Sequence, residues 1–426
     1  MPRSRLTPTF LIGTGQTVVG AAVAPLVPLY AVSMGATPAV VGMVAASHAL
    51  LPLLLGVWAG AAVDAVGSRR LSIAGSAVLV VAVGVLAAAR GIGWLMIGQA
   101  LSGLAGTMLI VSCQTSVAQA STDDDRDRNF GFFAFWVSVG QMIGPLIGGF
   151  VADGFSIRTA LLVSAVLAAA PGVLALRMQP VQEVSATFDP VGHAMRDRNA
   201  YQSAWRLARR RDLKFLMLVT FVIIFAWSIR QSFYPLYLQS VGLSKASIGL
   251  IYSFLGGSSM IVRPLVGMIA GRMGRRRILM IALALATFGI GVTPLLKTLW
   301  PLALAVATTG VAFGFTQPLT MSMMAGNVGP RERGLALSLR MTSNRMAEVV
   351  SPVLFGAAVA LTGLGSAFYL AAGVLAAGIW AISRGAIDAV AAGTVGSQTG
   401  TAVPDPRAPQ GVEPQVQPSP APPDRG

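Results

Sequence analysis

The chain is predicted to be an all-α polytopic membrane protein, with twelve transmembrane helices arranged as two parallel six-helix repeats. Three observations lead there. Of 426 residues, 54% are hydrophobic and only 11% charged, with a mean hydropathy of +0.70, whereas soluble domains carry about 25% charge. The apolar residues fall into twelve segments, each long enough to cross a hydrocarbon core of about 30 Å. The first six segments also recur in the last six at one constant offset, 207 residues, the distance from Tyr30 to Tyr237. A transmembrane barrel would instead show alternating segments of about 10 residues.

Arg3 and Arg5 precede the first segment, at about 6–30. Ala22-Val23-Ala24 resembles a signal-peptide cleavage site, but the run is long and Pro25 would follow the cut, so an uncleaved helix is expected. Segments follow at about 40–62, 71–89, 94–117, 129–151 and 158–176, completing a first six-helix bundle over 1–176. A polar, Arg-rich linker covers 177–214. Its end, RDRNAYQSAWRLARRRDLKF, combines basic residues with Tyr201, Trp205 and Leu207, as in an interfacial helix drawn to anionic lipid. A plain tether is the simpler reading. The second bundle, 215–386, holds segments near 215–237, 247–270, 278–296, 300–325, 337–361 and 367–386. The Pro-rich tail, 387–426, cannot bury a core and is expected to be disordered on the cytoplasmic side.

The net charge of +15 raises the possibility of a nucleic-acid partner, which the placement of the charge excludes. Basic residues concentrate in alternate connections, and the other side carries only Arg90, Arg158, Lys245 and Lys297. The positive-inside rule therefore puts both termini in the cytoplasm. Arg far outnumbers Lys and Ala and Gly abound, a composition that points to a GC-rich bacterium and hence its cytoplasmic membrane. The lone Cys113 rules out a disulfide framework or cysteine metal cluster. No metal site or cofactor is expected. Only His48 and His193 are present, with no nucleophile-base-acid set and no phosphate-binding loop, so neither an enzyme nor an ATP-driven pump is expected.

The repeat extends through motifs. Pro28-Leu29-Tyr30 returns as Pro235-Leu236-Tyr237, and Gly35 and Gly42 return as Gly242 and Gly249. Gly60-x3-Asp64-x2-Gly67-Ser68-Arg69-Arg70 returns as Gly267-x3-Gly271-x2-Gly274-Arg275-Arg276-Arg277, and Pro145 and Gly149 as Pro352 and Gly356. Parallel repeats of this kind suggest a transporter with a central site between halves that rock to give alternating access.

Over about residues 6–386 the layout strongly resembles the major facilitator superfamily. Gly60, Asp64, Gly67 and Arg69 match that family's loop between helices 2 and 3, with Ala65 in place of its usual Arg and Gly271 in place of the Asp in the second copy. The resemblance implies that Asp64 and the basic residues latch the cytoplasmic helix ends in one conformation. Gly131-x8-Gly140-x3-Gly144-Pro145-x2-Gly148-Gly149 is similar to the fifth-helix signature of the drug/proton antiporter branch, and Pro25-Leu26-Val27-Pro28 to its first-helix element. Gly140, Gly144 and Gly148 form one stripe down a helix face, suited to close helix contact, and are expected at the contact between the halves. Pro145 leaves the Gln141 carbonyl without its helical donor. The branch's fourth helix usually carries a proton-coupling Arg where this chain has Gln99.

Ionisable groups at membrane depth are costly and are candidates for function. Glu348 is the sole acid well inside a segment, four residues before Pro352, with Arg345 one turn earlier on the same face. Its repeat counterpart is Gln141. The pair reads either as a proton or substrate site or as a permanent structural ion pair. Arg230 in segment 7 is a substrate or gating candidate; His48 in segment 2 can titrate near neutral pH or simply pack. Arg263 and Arg340, near segment ends, are expected to snorkel. Aromatic residues on segments 5 and 7 offer surface for amphipathic ligands. With Arg230 and Arg345 facing one acid, neutral or anionic solutes are expected over dications.

The function expected is secondary active export of small hydrophobic or amphipathic compounds, as in drug or metabolite efflux, by proton antiport. Small-molecule substrate, protons and the lipid bilayer are the partners, and the chain is expected to be monomeric. A proton-coupled importer of a small metabolite, or a non-transporting receptor of the same fold, are the alternatives.

Overall fold

The computed structural model describes residues 6–122, 125–178, 206–326, 328 and 333–391, although some side chains within these ranges fall outside the description. The described residues contain eleven helices long and apolar enough to cross a membrane, and a bent pair that makes a twelfth span. In chain order the spans are α1 (Thr7–Ser33), α2 (Pro38–Val66), α3 (Ser68–Ala87), α4 (Ile92–Gln119), α5 (Arg126–Gly154) and α6 (Ile157–Ala175). The second set is α7 (Arg211–Ser232, continued by Tyr234–Ser240), α8 (Lys245–Met273), α9 (Arg275–Leu295), α10 (Leu299–Gly326), α11 (Arg333–Thr362) and α12 (Leu364–Ala391).

The repeat seen in sequence is a repeat of bonds. Tyr30 donates its hydroxyl hydrogen to the Ala89 carbonyl at 3.2 Å, and Tyr237 donates to the Leu296 carbonyl at 2.8 Å. Both partners are displaced by the same 207 residues. Each Tyr thereby ties the end of the first helix of its set to the connection after the third. In the first set Arg158 adds a bond from its Nε to the Tyr30 hydroxyl at 2.6 Å.

Glycines sit where the backbone requires them. Gly67 (φ 80°) and Gly274 (φ 81°) are the whole link between α2 and α3 and between α8 and α9. Gly35 (φ 83°) and Gly242 (φ 85°) end α1 and α7. A side chain is strained in that left-handed region, so the recurring loop glycines are explained by backbone geometry. Pro25 interrupts α1, and α7 bends by 41° just before Pro235, because neither proline can donate a helical hydrogen bond.

The stripe on α5 packs differently from expectation. A Cβ on Gly140 would lie 2.7 Å from the Thr14 carbonyl oxygen, one on Gly148 would lie 2.5 Å from that of Ala22, and one on Gly144 would meet the Val18 carbonyl. All three partners are on α1, so the stripe joins two helices of the same six-helix set. Gly131 has open space around it.

The contact between the two sets uses the next face of α5. Gly249 of α8 presses on the Pro145 carbonyl, and Gly42 of α2 presses on the Pro352 carbonyl of α11. Gly149 lies against Lys245 and Gly249, while Gly356 lies against Pro38 and Ala39. These are again one pair of contacts repeated at the 207 offset. The Gln141 carbonyl, freed by Pro145, faces Gly256, where a Cβ would be 2.8 Å from its oxygen. At one end Asp153 of α5 accepts a bond from the Lys245 backbone N–H of α8 at 3.1 Å. The repeat counterparts are Ala360 and Pro38, which supply neither acceptor nor donor.

Leu207 is buried with Leu213, Leu216, Met324, Val328 and Ala336, so this member of the expected interfacial segment packs on protein. Tyr201, Trp205 and the tail beyond residue 391 lie outside the described residues.

Because the α5 stripe holds α1, Gly144→Leu is expected to destabilise the fold by about 1–3 kcal/mol through overpacking. Thermal unfolding of detergent-solubilised protein measures this; an unchanged midpoint would show that the stripe tolerates bulk.

Candidate functional site

Four of the candidate residues come together where α2, α4 and α11 meet. Arg345 Nη1 bonds Glu348 Oε2 at 2.7 Å, one turn apart on α11. The two side chains are 25% and 31% exposed, so the pair is neither sealed in the packing nor fully open. The antiparallel register of α2 and α11 brings His48 to this level. Gly42 faces Pro352, and six residues further along each helix His48 stands opposite Met346, between Arg345 and Glu348. His48 lies beside Gln99 of α4 and within electrostatic reach of both members of the ion pair. Gly103, one turn from Gln99, fits against the His48 carbonyl and Pro52, which is why α4 can approach α2 so closely. Its repeat counterpart Gly310 meets Leu255 of α8 in the same way.

The physical logic is that of charge in a poor solvent. A lone carboxylate at this depth would be strongly disfavoured, and pairing with Arg345 offsets that cost. Loss of the pair by protonation of Glu348 would leave Arg345 as the uncompensated charge, near His48. Glu348 and Arg345 therefore offset one another's charge at this level.

Gln141, the repeat counterpart of Glu348, has its Oε1 buried without a hydrogen-bond partner, as has Asn344 Oδ1 on α11. Arg230, near the end of the first part of α7, is separate from the ion pair. Its guanidinium carbon lies 3.6 Å from the Trp227 ring centre and 5.3 Å from that of Tyr252. Trp227 stacks in turn on Phe313 of α10, with ring centres 3.7 Å apart.

The loop motif is only partly visible. Gly60 lies within α2, and the Asp64 side chain lies outside the described residues. Gly67 makes the turn described above, and Arg69 follows it in the first turn of α3.

Sequence reasoning missed the role of Arg263. Its Nη1 donates to the Ala134 carbonyl at 2.9 Å and to Ser138 Oγ at 2.6 Å, both on α5. Instead of snorkelling, Arg263 joins the two sets of helices. Arg340 is likewise buried, 3.4 Å from Gln317 Oε1. An Arg inside an apolar segment was the available signal, but the partners are distant in sequence and chemically ordinary.

Two related sets of six spans, meeting through glycine-lined contacts and carrying an ion pair at depth, are the build of a membrane transporter. The model of the Major Facilitator Superfamily matches residues 9–289 and 216–407, and the chain belongs to that superfamily. It is a multi-pass membrane transporter rather than an enzyme. It is 25% identical over 336 residues to a Lactococcus lactis protein described as a multidrug resistance efflux pump PmrA homolog, spanning 76% of this chain and 79% of that one. It is 25% identical over 131 residues to the quinolone resistance protein NorA of Staphylococcus aureus, spanning 31% and 34%. Among solved structures, a point mutant of the nucleoside transporter NupG superposes with a TM-score of 0.77 over 89% of this chain and 99% of that one, at 14% identity. A bacterial homolog of the lysosomal transporter Spinster, inward-facing and unoccupied, gives 0.67 over 89% and 94%, also at 14%. Likenesses this distant concern the fold alone.

Charge-assisted hydrogen bonds contribute about 1.5–3 kcal/mol, so Ser138→Ala and Arg263→Gln are expected to be destabilising and non-additive, with coupling of about 1 kcal/mol. A double-mutant cycle on thermal stability measures it; strict additivity would remove Arg263 from the α5–α8 joint.

Proposed function

We propose that this protein exports small hydrophobic or amphipathic compounds across a bacterial cytoplasmic membrane in exchange for protons. Both termini face the cytoplasm, residues 1–176 and 215–386 are the moving halves, and 177–214 tethers them. The observation that carries the proton coupling is the Arg345–Glu348 pair beside His48, partly accessible and set among helices from both halves. The efflux pumps named among its relatives support the export direction.

With Glu348 ionised, Arg345 is neutralised and the pair is the low-energy arrangement. A proton arriving at Glu348 frees Arg345 and changes the charge facing α2 from near neutral to positive. Loss of the neutral pair then alters the contact between α2 and α11. Those helices meet through Gly42 and Pro352, so a change in charge at this level acts on a joint between the halves. Gln99, which stands where the antiporter branch usually has Arg, lies beside His48 at the same level. The unpartnered amide oxygens of Gln141 and Asn344 suit a hydrated or ligand-filled cavity.

Glu348→Gln keeps the size and one hydrogen-bond acceptor while removing the titration. In proteoliposomes with an imposed pH gradient, it is expected to lose gradient-driven export at least about tenfold while retaining substrate exchange. Unchanged coupled export by a stably folded variant would assign the pair a purely structural role.

A further inference from the structure

Arg230 has no carboxylate beside it among the described residues. Its charge is met instead by the face of Trp227 and by the end of the first part of α7, where helical carbonyls carry partial negative charge. The other face of Trp227 is covered by Phe313. Tyr252 of α8 is held close because its hydroxyl donates to the Arg230 backbone carbonyl. The Arg230 Nε is buried and makes no hydrogen bond. A planar donor set is thus fixed from one side by stacking, with an N–H unanswered, in a setting where unpaired charge is strongly disfavoured.

From this geometry we propose that Arg230 is the anion-recognition residue of a substrate site, which binds small aromatic carboxylates or phenolates. The site rests on the transporter reading but not on proton coupling. The guanidinium edge supplies the bonds to the anionic head, a geometry that Arg provides and Lys does not. Trp227, covered on both faces, presents its edge to an apolar cavity it lines together with Ile223, Ile290, Phe313 and Leu375, and that cavity supplies surface for the aromatic body. Since Trp227 holds the guanidinium in place before ligand arrives, little side-chain entropy is lost on binding. The ligand's own charge would neutralise Arg230, so an acid is preferred over its neutral isostere.

The test uses the full chain in lipid nanodiscs, with binding of 1-naphthoate and 1-naphthamide measured by calorimetry without a pH gradient. Naphthoate is expected to bind at least about tenfold more tightly than the amide. Arg230→Gln should abolish that preference, and Arg230→Lys should restore only part of it. Equal affinities for acid and amide, no binding of naphthoate, or an unchanged preference in Arg230→Gln would overturn the proposal. If Arg230→Gln does not fold, the acid-to-amide ratio of the wild type and of Arg230→Lys decides. Acid-selective binding without proton-coupled flux would remove the antiport reading and leave the anion site standing. Coupled export of the amide without acid preference would do the reverse.

Discussion

Everything in this molecule depends on two places where a helix backbone rests directly on another helix's carbonyl. Gly249 against Pro145 and Gly42 against Pro352 bring α8 onto α5 and α2 onto α11 with no side chain between them. In a bilayer, apolar side chains gain little by leaving lipid for protein, so association rests on close packing and a few polar bonds. A proline on one side and a glycine on the other meet that demand. The proline releases the carbonyl one turn before it from the helical ladder, and the glycine removes the Cβ that would keep the chains apart. Because the two contacts are copies, the joint has nearly the same shape on both sides of the molecule.

The polar groups then make the two copies unequal. Along α5–α8, Asp153 caps the start of α8 and Arg263 reaches across to Ala134 and Ser138. Along α2–α11 the corresponding cap is absent for chemical reasons, since Pro38 has no N–H and Ala360 no acceptor. That joint carries the Arg345–Glu348 pair and His48 instead. One joint is bonded by Asp153 and Arg263, each to an uncharged partner; the other holds a cation and a carboxylate paired with each other.

The balance of charge inside the spans has its own consequence. Arg263 has two acceptors, Arg340 has an amide oxygen within reach, and Arg345 has Glu348. Arg230 is accommodated by an aromatic face. Each cation is made tolerable in a different way, and only one of those ways involves an acid. Among these described residues the charge balance is positive.

Much of this was legible in the linear chain. Span number, the repeat offset and the turn glycines follow from hydropathy and backbone sterics, which act locally: Gly67 and Gly274 are required by φ whatever lies around them. The Arg345–Glu348 pair follows from helical spacing alone. What the sequence left open was which face of a helix meets which neighbour. The Gly140–Gly144–Gly148 stripe is as suitable for α1 as for α8, and only the packing of all the helices together sends it to α1 and leaves Gly149 for α8. Likewise, Arg263 and His48 acquire their partners through contacts between residues far apart in the chain. Periodicity determines that a face exists; the tertiary structure, in which each helix has several neighbours competing for it, decides what that face touches.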